Sequence, residues 1–308
     1  MIQSIKMELS YAIKSHLLIK FILAIVLLFS LILYMNFKSV ESSNLDFQTQ
    51  LTFAEEVELE LEKDYIVTSE TGKSMEIENP LAYYNFQLDK YLFASSNHYR
   101  LSQLLESSTL VFPLVFGVLG SLLATIDFKY KTIKLKGGMF DRRTLAISKH
   151  IALLLLTVII LLSGLVISWF IGWLFNKDLQ RTLSLASGLS EFSLKALPLK
   201  IIWTSFLALF FSELGYTLGY LSKSRTVSVI AIFSVFYLLP NYNLQLNYLD
   251  ISASLKNISV MIYDYLGVIQ PTDISDFSLF YSILAISFYV LLMLLLNYYV
   301  SKIRSNFQ

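Results

Sequence analysis

Cysteine is absent from the 308 residues, which excludes disulfides, thiolate catalysis and Cys-ligated metal sites. Charge is scarce as well: Asp, Glu, Lys and Arg supply 15% of the chain, against about 25% in an ordinary soluble domain. So few charges cannot cover a large water-facing surface. The three histidines, His16, His98 and His150, are too scattered for a His-rich metal site. A formal net charge of +1 offers nucleic acid or acidic substrates no broad attraction. A nucleotide-binding loop is missing too. Thr71-Gly72-Lys73-Ser74 resembles the end of one, but the first glycine would fall on Val67 and no strand-to-helix context surrounds it.

What is present is hydrophobic: 55% of the residues, with a mean hydropathy of +0.60, arranged in blocks rather than stripes. Six runs approach the ~20 residues that a bilayer requires: 17–35, 110–126, 151–175, 199–221, 226–240 and 279–299. The fifth is short and ends at Pro240. The first follows Lys6 and Lys14 and contains Lys20, a basic flank like that of a signal peptide, yet no small-residue cleavage site follows it. It is expected to stay as an uncleaved span. The predicted fold class is an all-α polytopic membrane protein with six transmembrane helices.

Lys and Arg set the expected orientation. Between spans 2 and 3 stand Lys129, Lys131, Lys134, Lys136, Arg142, Arg143 and Lys149. Spans 4 and 5 are joined by Ser222-Lys223-Ser224 with Arg225 beside it, and the 300–308 tail carries Lys302 and Arg304. Residues 36–109 hold the acidic run Glu55, Glu56, Glu58, Glu60, Glu62 and Asp64, while 241–278 hold Asp250, Asp264, Asp273 and Asp276. Both termini are therefore expected in the cytoplasm.

Residues 1–16 place Ile2, Ile5, Leu9, Ala12 and Ile13 on one helical face, the pattern of an interfacial helix on membrane lipid. Residues 36–109 are expected to form a small helical insert outside. One helix is marked by Phe53, Val57 and Leu61, and a turn by Thr71-Gly72. A second helix starts at Asn79-Pro80 and carries Leu81, Tyr84, Leu88 and Tyr91. Residues 176–198 read as an outer loop. In 241–278, Ile258, Met261, Ile262 and Tyr265 predict a short outer helix, stopped by Pro271.

Residues 127–150 are the most informative part of the cytoplasmic side. Phe128, Thr132, Leu135 and Met139 repeat at helical spacing, Gly137-Gly138 is expected to stop that helix, and Asp141 can cap the next. The series Asp127-x3-Lys131-Thr132-Ile133-Lys134-Leu135, then Arg142-Arg143 and Ser148-Lys149, resembles the permease subunits of type-2 ABC exporters, with Lys131 standing where that family has glycine. The resemblance implies that Asp127, Phe128, Lys131, Thr132, Ile133, Lys134 and Leu135 form a coupling helix against a separate ABC ATPase subunit. It also implies a second permease copy, identical or related. ATP and Mg would then belong to the ATPase partner, with no cofactor, metal or catalytic residue on this chain and no nucleic-acid partner.

Within the spans, Glu213 is the clearest ionisable group, a candidate for the substrate path or for a structural hydrogen bond. Gly215-x3-Gly219, Gly164-x3-Ser168-x3-Gly172 and the Gly117/Ser121 pair predict close helix packing inside one chain. The function expected is export of an amphipathic or hydrophobic substrate (a peptide, antibiotic or lipid) driven by the partner ATPase. A non-transporting membrane sensor or immunity protein is the alternative. An intramembrane protease is disfavoured because no paired acids or His-x3-His lie in a span.

Overall fold

The computed structural model describes residues 1–57, 66–68, 76–130, 132, 136, 138–182, 194–242, 250–269 and 278–303. Among them the chain is overwhelmingly helical, as apolar runs must be where lipid offers the backbone no hydrogen-bond partner. The elements are α1 (Ile2–Lys14), α2 (Leu17–Val57), β1 (Ile66–Thr68), β2 (Glu76–Glu78), α3 (Pro80–Ser95), α4 (Arg100–Glu106) and α5 (Ser108–Lys129). There follow α6 (Arg142–Thr182), α7 (Leu197–Ser222), α8 (Arg225–Phe233), α9 (Ile251–Ile262) and α10 (Leu279–Ile303).

Among the described residues, 5 helices are long and apolar enough to cross a membrane, carried by α2, α5, α6, α7 and α10. The chain is thus a multi-pass membrane protein by the length and composition of its helices. The remaining expected span, 226–240, is a composite. Helix α8 gives way to a π-helical turn at Ser234–Leu238 and a 3-10 turn at Leu239–Tyr242. Pro240 has no N–H to donate back to residue 236, so the ladder loosens and then tightens around it.

Helices α5 and α7 form the centre of the bundle, and their backbones touch. A Cβ on Gly120 would lie 1.9 Å from the Ser212 carbonyl oxygen, and one on Gly215 would lie 2.0 Å from that of Gly117. The predicted small-residue ridges are therefore spent inside the chain. Gly164 receives Ile25 of α2, and Gly172 receives the Arg100 side chain. Around this centre, Phe29, Phe112, Phe116, Leu119, Leu153, Leu207 and Phe211 make one continuous apolar core. Helices α6 and α10 leave broad rows exposed, among them Leu162, Val166, Phe170, Leu291 and Leu295, which suits lipid.

The two ends of the bundle are distinct. At one, here the base, α1 packs on the start of α6 through Ser4 and Ser148 (2.7 Å), and Asn297 of α10 donates to Thr217 of α7 (2.9 Å). At the other, the top, sit α3, α4, α9 and the β1–β2 hairpin. Asn79 caps α3 through its side chain with Pro80 in the first turn, as the sequence predicts. The insert is not wholly helical, however. Ile66 pairs with Glu78, Val67 with Ile77 and Thr68 with Glu76 in an antiparallel hairpin, a correction that follows from β-branched Ile, Val and Thr in a row. Helix α2 runs through Phe53 to Val57, over roughly 60 Å, about twice the thickness of a hydrocarbon core. Leu61 and Thr71-Gly72 lie outside the described residues. Helix α9 is capped by Asp250 and ends at Ile262, so Tyr265 falls beyond it with a left-handed backbone (φ 51). Pro271 lies outside the described residues.

Candidate functional site at the base of the bundle

Asp127 closes the last turn of α5, and it is buried. Its Oδ1 accepts from the Thr132 hydroxyl (2.7 Å) and pairs with Lys136 Nζ (2.9 Å), while Oδ2 pairs with Lys149 of α6. Lys136 Nζ also donates to Glu8 Oε1 of α1 at 2.7 Å. Burial opposes the charge on Lys136, but the Glu8 and Asp127 carboxylates overcome it and hold its pKa above the ordinary value. One buried network thus ties α1, α5, the 132–140 segment and α6 together. Desolvated charges persist at such a place only when every one is paired.

This placement changes the expected coupling face. Phe128 lies half-buried with its ring 5.9 Å from that of Tyr220, so it packs inward on α7. Thr132 serves Asp127. Among the described residues from 127 to 141, Lys129, Tyr130, Gly138, Met139 and Asp141 remain exposed. Lys131, Ile133, Lys134 and Leu135 lie outside the described residues. N–H of Lys136 bonds to the carbonyl of Thr132, and N–H of Phe140 bonds to that of Lys136, both at 3.0 Å. Among the described residues this helical turn ends at Met139, one residue past Gly138, which has open space around it. Helix α6 begins directly after Asp141, as predicted.

Helix α1 is amphipathic, but its buried stripe is Ser4, Glu8 and Ala12. The apolar Ile2 and Ile13 point outward. Gln3, Lys6 and Lys14 are exposed beside them, so the outward face mixes apolar and cationic groups, as on a helix at a lipid surface.

Glu213 is not alone in the membrane. His150 Nδ1 of α6 lies 2.9 Å from one of its carboxylate oxygens and 3.1 Å from the other, and Tyr216 packs on the imidazole at 4.6 Å between ring centroids. The imidazole and the carboxyl group thus share a hydrogen bond between the two helices. The pair bridges α6 and α7 one residue beyond Lys149.

At the top a second network appears that the sequence does not reveal. Lys200, near the start of α7, is fully buried; its Nζ donates to Ser102 Oγ (2.6 Å) and pairs with Asp264, with Glu106 3.9 Å away. Tyr99 donates its hydroxyl to Glu106, and Tyr263 shares hydrogen bonds with Ser108 (3.0 Å) and Thr204 (2.7 Å). Burial raises the Glu106 carboxyl to about 7, against the opposing pull of the Tyr99 hydroxyl and the Lys200 ammonium. Asp264 lies in an irregular segment and Glu106 on a short helix. The one available signal was Lys200 itself, a lone cation inside an apolar run. Among the described residues no group of three or more His, Asp or Glu side chains could hold a metal.

Compared with known proteins, the chain matches no family model, no curated protein and no solved structure.

Proposed function

We propose that this chain is the permease subunit of an ATP-driven ABC exporter in a bacterial plasma membrane. It moves an amphipathic or hydrophobic substrate outward by alternating access, and a separate subunit holds ATP and Mg and hydrolyses the nucleotide. The observation that carries this reading is the Asp127 network. A basic segment between two spans is stiffened by buried ion pairs, tied to an interfacial helix, and left exposed at Lys129 and Met139. A partner pressing on that surface would move α1, α5 and α6 as a unit, because no member of the network can shift without unpairing another.

In this reading the chain crosses the membrane six times. From Arg225 to Tyr242 the successive α, π and 3-10 turns extend roughly 28 Å, close to the ~30 Å of a hydrocarbon core. The base then faces the cytoplasm, since Lys14, Lys129, Lys136, Lys149, Lys223 and Arg225 gather there. A second copy, or a related permease, completes the pathway. Glu213, held by His150, lies beside it and couples substrate to the base.

Purification of the tagged chain from its native membrane tests the proposal. An ATP-hydrolysing subunit should co-elute with it. Lys129→Glu with Met139→Asp should cut that recovery by about tenfold, equivalent to roughly 1.4 kcal/mol of binding, without loss of the folded chain. Glu213→Gln should retain the partner and change its ATP turnover. Wild-type protein that brings no hydrolase, or brings one equally with the double variant, would overturn the proposal.

A further inference from the structure

Arg100 is 1% exposed, yet neither of its terminal guanidinium nitrogens has a hydrogen-bond partner. Three residues on, buried Gln103 has neither Oε1 nor Nε2 satisfied. Asn36 of α2 gives its Nδ2 to Ser95 (2.8 Å) and leaves Oδ1 unpaired. Buried polar groups are nearly always paired, so this many orphans in one place call for an explanation. All three side chains line one cavity of about 20 Å³ between α2, α4 and α6, together with Gly172, Phe37 and Phe175.

The chemistry of the walls selects the occupant. A guanidinium offers a planar fork of N–H groups, and its best complement is a planar group with two anionic oxygens. Glu106, the acid on the same short helix, is engaged by Tyr99 and Lys200 and is not part of this cavity. The volume exceeds what one water needs and leaves room for a small planar head group. Phe37 and Phe175, with rings 6.5 Å apart, form an apolar lip. Phe175 is also exposed on the outside of α6, so an apolar tail has a way out to lipid.

We propose that this cavity binds the carboxylate of a small amphipathic molecule, of the medium-chain fatty-acid type. Arg100 grips both oxygens, the Gln103 amide adds a third donor, and the chain of the ligand runs out along the apolar lip of Phe37 and Phe175. Gly172 makes the site possible, because a Cβ there would lie 2.5 Å from Arg100 Cδ and 2.8 Å from Nε. This assignment does not depend on the transporter reading: a binding site of this kind serves a carrier, a sensor or a lipid-regulated protein equally.

The test uses the full chain in lipid nanodiscs titrated with octanoate carrying ¹³C at its carboxyl carbon, with empty nanodiscs as the partition control. A saturable bound resonance should appear only with protein. Arg100→Gln should weaken it by at least about tenfold, the loss of a charge-assisted pair. Gln103→Leu removes only unpartnered polar atoms, so it should fold at least as well as wild type and still weaken binding. Gly172→Ala should weaken binding by displacing the guanidinium. Phe175→Ala should weaken octanoate while leaving ¹³C-acetate unchanged. The proposal is overturned if octanoate merely partitions as in empty nanodiscs, or if folded Gln103→Leu and Gly172→Ala both bind as wild type. It is equally overturned if acetate or chloride displaces octanoate at equal concentration, since the site would then take a free ion rather than an amphiphile.

Discussion

Asp127 is nearly closed to solvent, and its two oxygens are shared among Thr132, Lys136 and Lys149. Taking away its charge would leave Lys136 with Glu8 alone and deprive Lys149 of its Asp127 carboxylate in a largely dry place, a change that typically costs about 3 kcal/mol or more. Asp127→Asn is therefore expected to lower the thermal midpoint of the purified chain markedly, as read by a thiol-independent unfolding assay. An unchanged midpoint would show that the network is solvated rather than buried. Glu106 makes a prediction of opposite character. Its carboxyl is raised from 4.5 to about 7 in the folded chain, so between those values the native state holds a proton that the unfolded state has lost. Stability from this group is complete below about pH 4.5 and is lost as pH rises through about 7, by up to about 3 kcal/mol. Wild-type protein should thus lose more stability between about pH 5 and about pH 8 than Glu106→Gln does. Equal losses in the two proteins would contradict the assignment. At this scale the sequence singled out Asp127 for a coupling helix and Glu213 for the substrate path or a structural hydrogen bond; the structure adds the partners each has inside the chain. The sequence could not reveal the partners of Glu8, His150 or Lys200, because these are 128, 63 and 64 positions away.

Among the elements, the glycine-bearing helices α5 and α7 were the most legible, since small residues at four-residue spacing have few uses in lipid other than close approach. Gly120→Ala is expected to force apart two backbones that touch and to cost about 2 kcal/mol or more. Gly138→Ala stands in a helical turn with nothing within 4 Å, and should stabilise that turn by up to about 1 kcal/mol. The two variants, compared by thermal unfolding in the same detergent, should move in opposite directions. A similar loss in both would mean that the 132–140 segment packs against something that open space does not suggest. In the same segment the described helical turn reaches Met139, one residue past Gly138, and Lys136 within it is anchored by Asp127 and Glu8. The hairpin β1–β2 was not legible in the sequence. Its strands are 3 residues long each, too short for an alternating pattern to register against the helical signals around them.

For the whole molecule, the blocks of apolar sequence forecast the long helices well, because a bilayer demands an element of fixed length and leaves few alternatives. The forecast weakened at 226–240, where Pro240 and a change of helical pitch produce an element that length alone does not resolve. The clustering of Lys and Arg at the base was equally visible along the chain. One consequence, that Lys136 and Lys149 fold inward on Asp127, depends on contacts no linear pattern encodes. The proposal that the surface exposed at Lys129 and Met139 meets an ATP-hydrolysing subunit is tested most directly by a photoreactive amino acid placed at position 139, with a second at position 78 in the exposed β2 strand as the opposite-end control. Illumination of native membranes should join position 139, and not position 78, to a nucleotide-hydrolysing partner. Cross-links to the same proteins from both positions, or none to a hydrolase from position 139, would contradict the proposal.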